Sequence, residues 1–279
     1  MAYVNSDGVQ IYAEESGRGG TPVVFVHEFA GDCRNWEQAV AHFGRRHRCA
    51  TFNARGYPPS ETPTDPALYS QRHAVEDIRA VLDHFGFSHA HIVGLSMGGY
   101  ATVNFGIAHP DRVLSLTIVG AGHGSDPTMR ETFLKESAAL VERLETLGMQ
   151  GMSDYMHGPA RRRFIERDPR GFARFAAQLA DHSALGTALT ARGCQLKRPT
   201  IYQLEEGLRK ISAPTLIVAG DDDEACIDPA IFMKRCIPDA RLWIVPRTTH
   251  NVNLEEPDLF NRVVGDFIAE VDNRRDAQM

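Results

Sequence analysis

A serine between two glycines is the residue of this sequence best suited to nucleophilic chemistry. Gly94, Ser96 and Gly98 form the pattern G-x-S-x-G; an apolar strand-like run ends at residue 93, and a helical pattern runs from residue 100 to 108. This order of strand, turn and helix is typical of a nucleophile elbow, which presents the serine hydroxyl at the carboxyl edge of a parallel sheet. The two glycines allow the strand and the helix to pack closely.

A serine nucleophile also requires a base and an acid. The acidic run from Asp221 to Asp223 follows the predicted strand at residues 213–220, and His250 follows the predicted strand at residues 241–245. Since both groups come just after a strand, we expect them at the same sheet edge as Ser96. The chain order of serine, acid and histidine differs from the chymotrypsin-like and subtilisin-like orders.

Two backbone N–H groups are predicted to form an oxyanion hole. Met97 begins the helix after the serine, so its N–H has no partner within that helix. The apolar strand at residues 22–27 is followed by a loop at the same edge, and the position of Phe29 in that loop predicts it as the second donor. Four side chains are expected to border the substrate, namely Glu28, Tyr57, Phe133 and Tyr155.

The elements that must position these groups alternate between strand and helix over two parts of the chain. A hairpin is predicted at residues 1–17, and βα alternation then continues to residue 122 and resumes at 213–279. Between them, residues 123–212 carry only helical patterns, which predicts a helical cap inserted into an α/β core. Within it, the helix at 128–147 is expected to turn Met129, Phe133 and Leu147 to one side, and Arg161 to Arg163 are expected on a solvated face. Further helices are predicted at 229–236 and 257–271, and residues 272–279 are expected to fray.

Composition limits the classes of function. The chain has 279 residues and a formal charge of -6, which argues against a nucleic-acid or anionic-membrane partner. No stretch approaches a membrane span. The five cysteines are scattered and show no C-x-x-C spacing, which predicts reduced thiols in a cytoplasmic protein. No metal site is predicted at the His89/His91 pair, because no carboxylate or cysteine partner is evident in the sequence. A homodimer is compatible with the sequence.

The residues quoted above resemble those of the α/β-hydrolase superfamily over nearly the whole chain. Residues 94–99 resemble the nucleophile motif of esterases, enol-lactonases and cofactor-free haloperoxidases, and residues 53–57 resemble the family's D-x-R-G-x loop. Residues 213–223 resemble the acid-bearing strand and turn, and residues 249–250 the histidine loop. The resemblance implies an α/β-hydrolase fold with a mostly parallel central sheet flanked by helices. It also implies Asp223, the third residue after the glycine, as the acid, and a reaction without metal or organic cofactor.

Three positions differ from the family's usual pattern. Glu28 and Thr249 stand where glycine is usual, and Asn53 stands where aspartate is usual. A carboxylate that pointed into the oxyanion hole would repel the developing charge. We therefore expect the Glu28 side chain to turn away, since only the N–H of the next residue is needed. These differences bear on the class of substrate more than on the Ser96, Asp223 and His250 triad.

The sequence therefore predicts a capped serine hydrolase that acts on small to medium carboxylic esters or lactones. Two alternatives stay open. One is a hydrolase that cleaves a carbon–carbon bond in a diketone-like intermediate of aromatic degradation, although Leu95 and Glu28 differ from the residues usual in that group. The other is a non-catalytic ligand receptor on the same fold, which would bind its ligand with negligible turnover.

Overall fold

One sheet organises the protein, as described by a computed structural model for residues 1–277. Within these residues eight strands form the sheet in the order β1-β2-β4-β3-β5-β6-β7-β8. The pairings of β2 with β1 and β4 are antiparallel, and the remaining pairings are parallel. The strands are β1 (Ala2–Ser6), β2 (Val9–Gly17), β3 (Val23–Val26), β4 (Arg48–Phe52), β5 (Ala90–Leu95), β6 (Val113–Val119), β7 (Thr215–Gly220) and β8 (Ala240–Val245).

Helices connect the parallel strands and cover both faces of the sheet, which confirms the predicted α/β class. Their bounds are α1 (Glu37–Phe43), α2 (Gln71–His84), α3 (Met97–Ala108), α4 (Arg130–Leu147), α5 (Ser153–Met156), α6 (Arg162–Arg167), α7 (Pro169–Gln178), α8 (Ala184–Thr190), α9 (Glu205–Leu208), α10 (Glu224–Cys236), α11 (Val252–Glu255) and α12 (Pro257–Asp276). Among the helices formed by residues 1–277, none combines the length and apolar character needed to cross a bilayer.

Apolar side chains fill the space on each side of the sheet. On one face the strands pack against α2, α3 and α10 through residues such as Ile78, Phe105 and Met233. On the other face they pack against α1 and α12 through residues such as Phe43 and Phe267. Strands β3, β5 and β7 are buried along their whole length. For β3 the continuous apolar sequence predicts this burial. Each fully buried valine, leucine, isoleucine or phenylalanine side chain contributes about 1.5–3 kcal/mol to the stability of the fold.

Parallel pairing brings the carboxyl ends of the strands to one edge. Val26 of β3 pairs with Gly94 of β5, and Gly220 of β7 pairs with Val245 of β8. The loops that follow β3, β5, β7 and β8 therefore leave the sheet at the same edge. These loops, together with the first residue of α3, contain all the residues predicted to form the triad and the oxyanion hole.

Residues 123–212, called the helical segment below, lie between β6 and β7. Helices α4 to α8 pack on one another and enclose a third apolar cluster, which also includes Phe29, Tyr57 and Met97 from the sheet edge. From Ile201 onward the chain instead packs with the cluster that contains α2 and α3. The expected helical insertion, which ends at residue 212, thus includes a final stretch that packs with the sheet domain.

Two helices extend beyond their predicted bounds. Helix α10 begins at Glu224, five residues before the predicted start, and accommodates Pro229 in its interior. Helix α12 continues to Asp276, so the expected fraying is wrong for residues 272–276. The reason is that Asp272 is tied to the sheet: its carboxylate accepts a hydrogen bond from Thr21 Oγ1 at 2.7 Å and contacts His91 Nε2 at 3.1 Å. Residues 278–279 lie outside the described residues.

The helix at the start of the helical segment is less one-sided than its sequence predicts. Phe133 is buried as expected. Met129 and Leu147, which were expected on the same apolar side, are 54% and 57% exposed because they lie at the two ends of α4, beyond the packed turns.

Candidate active site

Ser96 lies in the turn between β5 and α3 with backbone angles φ 55° and ψ −108°. This left-handed conformation costs a non-glycine residue about 1–3 kcal/mol. The glycines on either side are required by close contacts. A Cβ atom on Gly94 would lie 2.3 Å from the carbonyl oxygen of Gly98, and one on Gly98 would lie 2.2 Å from that of Val26. The turn is further held by the Ser96 N–H, which donates to the carbonyl of Val119 at 2.8 Å.

Asp223 and His250 meet at the same edge as a hydrogen-bonded pair. His250 Nδ1 lies 2.8 Å from Asp223 Oδ2, and both side chains are buried. Burial favours the uncharged forms, but the attraction between the two groups outweighs it. The pKa of His250 is therefore raised and that of Asp223 lowered. With Nδ1 donating to the carboxylate, Nε2 of the neutral imidazole is left free to accept a proton.

The other acids near Asp223 do not reach the histidine. Asp221 is exposed and accepts from the Thr248 N–H at 3.3 Å. Asp222 pairs with Arg163 at 2.6 Å. Asp228 is exposed on α10. The resemblance to the family implied Asp223, but the acidic run alone does not separate these residues, because the fold decides which carboxylate turns inward.

Gly120, at the end of β6, packs directly against the histidine–aspartate pair. Its φ is +55°, and a Cβ atom there would lie 3.2 Å from His250 Nδ1 and 3.5 Å from Asp223 Oδ2. The sequence showed this glycine only as the end of a strand. Its role in leaving room for the pair depends on the pairing of β6 with β7 and was not predicted.

The histidine loop is held by a buried carboxylate that sequence reasoning missed. Glu255 accepts hydrogen bonds from the Thr249 N–H at 2.8 Å, the Thr249 hydroxyl at 2.7 Å and the Asn251 N–H at 3.1 Å. Burial raises the pKa of Glu255 despite these bonds. The helical segment also contacts this loop, because the His250 N–H donates to the Ala160 carbonyl at 3.1 Å.

The predicted oxyanion loop is fixed by two neighbouring rings. His27 Nε2 accepts from the Ala54 N–H at 2.9 Å, so its Nδ1 carries the proton and donates to the Glu28 carbonyl at 2.6 Å. Burial lowers the pKa of His27 to about 4, which keeps this ring neutral. The Tyr57 hydroxyl donates to the Phe29 carbonyl at 2.8 Å.

Two residues expected to border the substrate lie elsewhere. Glu28 is buried, and its carboxylate forms an ion pair with Arg161 at 2.7 Å and accepts from the side-chain amide of Asn251. Tyr57 is buried beneath the oxyanion loop and not on the cavity wall. Neither side chain borders the cavity, for the same reason: each turns under its loop to satisfy a buried polar group, which for Glu28 agrees with the expectation that it turns away from the oxyanion hole. The pairing also corrects the expectation of a solvated Arg161.

A cavity of about 360 Å³ lies between the sheet edge and the helical segment. Ser96, His250 and Phe29 line its floor, and Phe133 and Tyr155 line its wall. Met97 directly follows Ser96 as the first residue of α3. The complete lining is Phe29, Ser96, His123, Phe133, Glu136, Ser137, Leu140, Arg143, Asp154, Tyr155, Gly158, Pro159, Ala160, Arg161, Ala191, Gln195, Arg198 and His250.

His123 is a cavity residue that the sequence did not single out. Its ring packs against Phe133, with centroids 5.2 Å apart. The side chain is exposed where it lines the cavity, but desolvation by the surrounding chain, together with the nearby His250, lowers the pKa of His123 to about 4. The ring is therefore neutral at pH 7 and offers one donor and one acceptor to a bound molecule.

One group of side chains has the spacing of a metal site within the described residues. The ligand atoms of Asp223, Cys226 and His250 lie within 4.8 Å of one another. Burial raises the pKa of the Cys226 thiol well above its usual value, and the thiol donates to the Gly120 carbonyl at 3.3 Å. Since a metal binds the thiolate and the facing atoms of the other two residues already bond each other, the arrangement fits a hydrogen-bonded pair better than a metal centre.

Comparisons with known proteins agree with this architecture. A family model described as alpha/beta hydrolase fold matches residues 21–257. The chain is 24% identical over 273 residues to a putative 2-succinyl-6-hydroxy-2,4-cyclohexadiene-1-carboxylate synthase of Bacillus subtilis (strain 168), covering 95% of this chain and 97% of that protein. It is 26% identical over 269 residues to a 2-hydroxy-6-oxononadienedioate/2-hydroxy-6-oxononatrienedioate hydrolase of Cupriavidus pinatubonensis, covering 93% and 90%. The structure of Est816, described as an N-acyl homoserine lactone degrading enzyme, superposes with a TM-score of 0.80 at 26% identity and covers 95% of this chain and 99% of that one.

Proposed function

Because the chain belongs to the α/β-hydrolase family and is a hydrolase of that fold, we propose that it is a serine hydrolase that cleaves small to medium carboxylic esters or lactones. The observation that carries the proposal is the arrangement on one cavity floor. Ser96 occupies the strained elbow, and His250 lies in the same cavity with its Nδ1 bonded to Asp223.

The proposed mechanism follows from these positions. His250 Nε2 takes the proton of the Ser96 hydroxyl as its oxygen attacks the ester carbonyl, and returns that proton to the leaving alkoxide. Asp223 keeps the ring oriented and stabilises the imidazolium. The N–H groups of Phe29 and Met97 stabilise the oxyanion, each by roughly 3 kcal/mol. A water molecule, activated by His250 in the same way, then hydrolyses the acyl-enzyme.

The size of the cavity supports a small substrate. A volume of about 360 Å³ lies near the lower end of the range typical of small-molecule sites, about 300–1,000 Å³. We propose that residues 123–212 act as the cap over this site, since this segment, mainly through α4 and the turns before α6 and after α8, supplies most of the cavity wall. A cavity of this size favours small molecules over polymers. The lactone-degrading activity in the description of Est816 supports the lactone part of the proposal.

The first experiment asks whether Ser96 is the nucleophile. Wild type, Ser96→Ala and Ser137→Ala are incubated with a fluorophosphonate and analysed by intact-mass spectrometry. Their turnover of 4-nitrophenyl esters of increasing acyl length is measured alongside. Ser137 is a matched control because it lines the same cavity. We expect one adduct and ester turnover in wild type and Ser137→Ala, and neither in Ser96→Ala with its thermal unfolding retained.

The similarity to the oxononadienedioate hydrolase favours one second candidate, a hydrolase that cleaves a carbon–carbon bond. It would use the same serine and histidine, with the proton delivered to carbon. An adduct on Ser96 without turnover of any ester in the series would support this second candidate over the first. Activity of Ser96→Ala within a few-fold of wild type would rule out both. Absence of any adduct in wild type would favour a receptor.

A further inference from the structure

Arg198 is a buried arginine on the cavity wall that has no carboxylate partner among residues 1–277. It is 5% exposed. Its Nη2 donates to the His123 carbonyl at 2.9 Å, but its Nε has no acceptor within the described chain. The guanidinium lies over the Tyr100 ring, 3.9 Å from its centroid.

The missing partner is unusual for a charge at this depth. A guanidinium remains protonated in proteins, and a buried charge is destabilising unless it is paired. Burial accordingly lowers the pKa of Arg198. Arg161 provides the comparison, because it is equally buried on the same cavity wall but forms an ion pair with Glu28 at 2.7 Å. One arginine of the cavity is thus neutralised within the protein and the other is not.

A second unpartnered polar group lies one turn before Arg198. Gln195 is buried on the same wall, and its Oε1 has no donor within the described chain. A π-helix at Ala191–Gln195 precedes Arg198 and turns Ala191, Gln195 and Arg198 to the cavity. A rotation of the Gln195 side-chain amide by 180° would present its NH₂ in place of its oxygen, so this residue can serve a ligand as donor or acceptor.

The position of Arg198 places its charge near the elbow. Tyr100, on which it stacks, lies one helical turn after the nucleophile, since the Tyr100 N–H donates to the Ser96 carbonyl at 2.9 Å. Its other contact, His123, also lines the cavity with Ser96. Arg198 and Ser96 thus line the same cavity, so one small molecule within it can contact both.

We propose that Arg198, assisted by the amide of Gln195, is a subsite for a carboxylate carried by the substrate. The enzyme then acts on esters or lactones that bear a second, anionic group. That the bound molecule is a substrate rests on the proposed function, whereas binding of a carboxylate at Arg198 does not.

The other charged groups that line the cavity are compatible with binding of an anion. Arg143 is half-buried on the wall and forms no ion pair within residues 1–277, so it adds positive charge. Glu136 and Asp154 also line the cavity, but both are exposed and their charges are screened by solvent. His123 is neutral. The unscreened charge in the interior is therefore that of Arg198.

The test compares two esters that differ in one charge, mono(4-nitrophenyl) glutarate and 4-nitrophenyl pentanoate. We expect wild type to prefer the anionic ester in kcat/KM. In Arg198→Met we expect this preference to fall roughly tenfold to hundredfold, the range of a hydrogen bond to a charged group. The loss should appear mainly in KM of the anionic ester, with the neutral ester little affected. Arg198→Lys, which keeps the charge but not the planar fork, should retain part of the preference.

Arg130→Met is the matched control. Arg130 donates to the carbonyls of Gly124 and Arg198 and so supports the same loop, but it does not line the cavity. We expect it to leave the preference for the anionic ester unchanged. If Arg198→Met lost kcat/KM equally for both esters, Arg198 would only support the loop and the proposal would be overturned. The same would follow if Arg130→Met lost as much of the preference for the anionic ester as Arg198→Met. An unchanged preference in Arg198→Met would also overturn the proposal.

A binding measurement separates this inference from the proposed function. Wild type, Arg198→Met and Arg198→Lys are titrated with glutarate and with pentanamide by calorimetry, without any turnover. Glutarate binding that is lost in Arg198→Met supports the subsite even if wild type hydrolyses no ester. Failure of wild type to bind glutarate overturns it even if neutral esters are hydrolysed. If Arg198→Met does not fold, as judged by circular dichroism, the Arg198→Lys variant decides. Glutarate binding by Arg198→Lys that is as tight as in wild type, with pentanamide binding also unchanged, would count against the subsite.

Discussion

At the scale of single residues, the site depends on which polar groups find partners in the interior. Asp223 and His250 satisfy each other at 2.8 Å, and Glu28 is satisfied by Arg161 and Asn251. Arg198 on the cavity wall has an unpartnered buried Nε and, unlike Arg161, no carboxylate partner within residues 1–277. Satisfied groups hold the structure in place, whereas the unpartnered group is available to a ligand.

Asp223→Asn should show how much of the ester turnover depends on the orientation of the His250 ring and the stabilisation of its charge. The amide cannot accept the Nδ1 proton as the carboxylate does, so His250 loses its preferred tautomer and its stabilised charge. We expect ester turnover to fall by about 10³–10⁴ with little change in KM. Asp222→Asn is the control, because Asp222 has the same charge one residue away but pairs with Arg163. If Asp222→Asn lowered turnover as much as Asp223→Asn, the assignment of the acid would fail.

At the scale of elements, the helical segment is joined to the sheet edge at the predicted active site. The turn before α6 contributes Arg161 to Glu28 and the Ala160 carbonyl to the His250 N–H. The oxyanion loop, the histidine loop and the helical segment thus meet in one buried contact. Displacement of this turn would remove support from both loops.

Arg161→Met should therefore be strongly destabilising. It leaves the Glu28 carboxylate buried without its charged partner, and we expect the free energy of unfolding in urea to fall by roughly 3–5 kcal/mol. The double variant Glu28→Gln/Arg161→Met should recover much of this loss, because no isolated charge remains. Arg162→Met is the control, since its ion pair with Asp222 is exposed and worth about 0–1 kcal/mol. Similar effects of the two single variants would contradict the importance of the buried pair.

At the scale of the whole molecule, Asp32 links the sheet domain to the helical segment. Its buried carboxylate contacts His182 Nε2 at 3.1 Å and Arg34 at 2.6 Å, and Arg34 in turn pairs with Asp181 at 2.7 Å. Burial alone would raise the pKa of Asp32, but the hydrogen bonds from His182 and Arg34 outweigh it and lower this pKa well below its usual value.

The lowered pKa of Asp32 predicts how stability depends on pH. The unfolded state binds the Asp32 proton more tightly, so this contribution is present above the unfolded pKa of about 3.9 and is lost as pH falls through the folded pKa. Asp32→Asn should reduce the free energy of unfolding at pH 7 and make its decline below about pH 4 shallower. The measurement is urea unfolding from pH 7 to pH 2. Asp181→Asn, an exposed partner of the same arginine, should leave the slope unchanged, and a wild-type slope in Asp32→Asn would refute the assignment.

Much of the fold could be predicted from periodicity, but the ends of elements could not. The alternation of strands and helices, the inserted helical stretch and the order of Ser96, the acids and His250 all depend on local pattern. The end of α12 depends instead on Asp272 reaching Thr21, more than two hundred residues away in the chain. The exposure of Met129 and Leu147 likewise depends on which turns of α4 are covered.

Local patterns were enough to predict the fold class, the candidate nucleophile and the candidate histidine, because the alternation of strands and helices and the glycine-rich elbow follow from local sterics and hydrophobic pattern. Long-range packing, in contrast, brings Asp223 to His250, turns Glu28 and Tyr57 beneath their loops and leaves room for the pair at Gly120. It also leaves Arg198 without a carboxylate partner among residues 1–277. Buried charges and hydrogen-bonding groups are satisfied by partners distant in the chain, and local sequence patterns do not identify those partners.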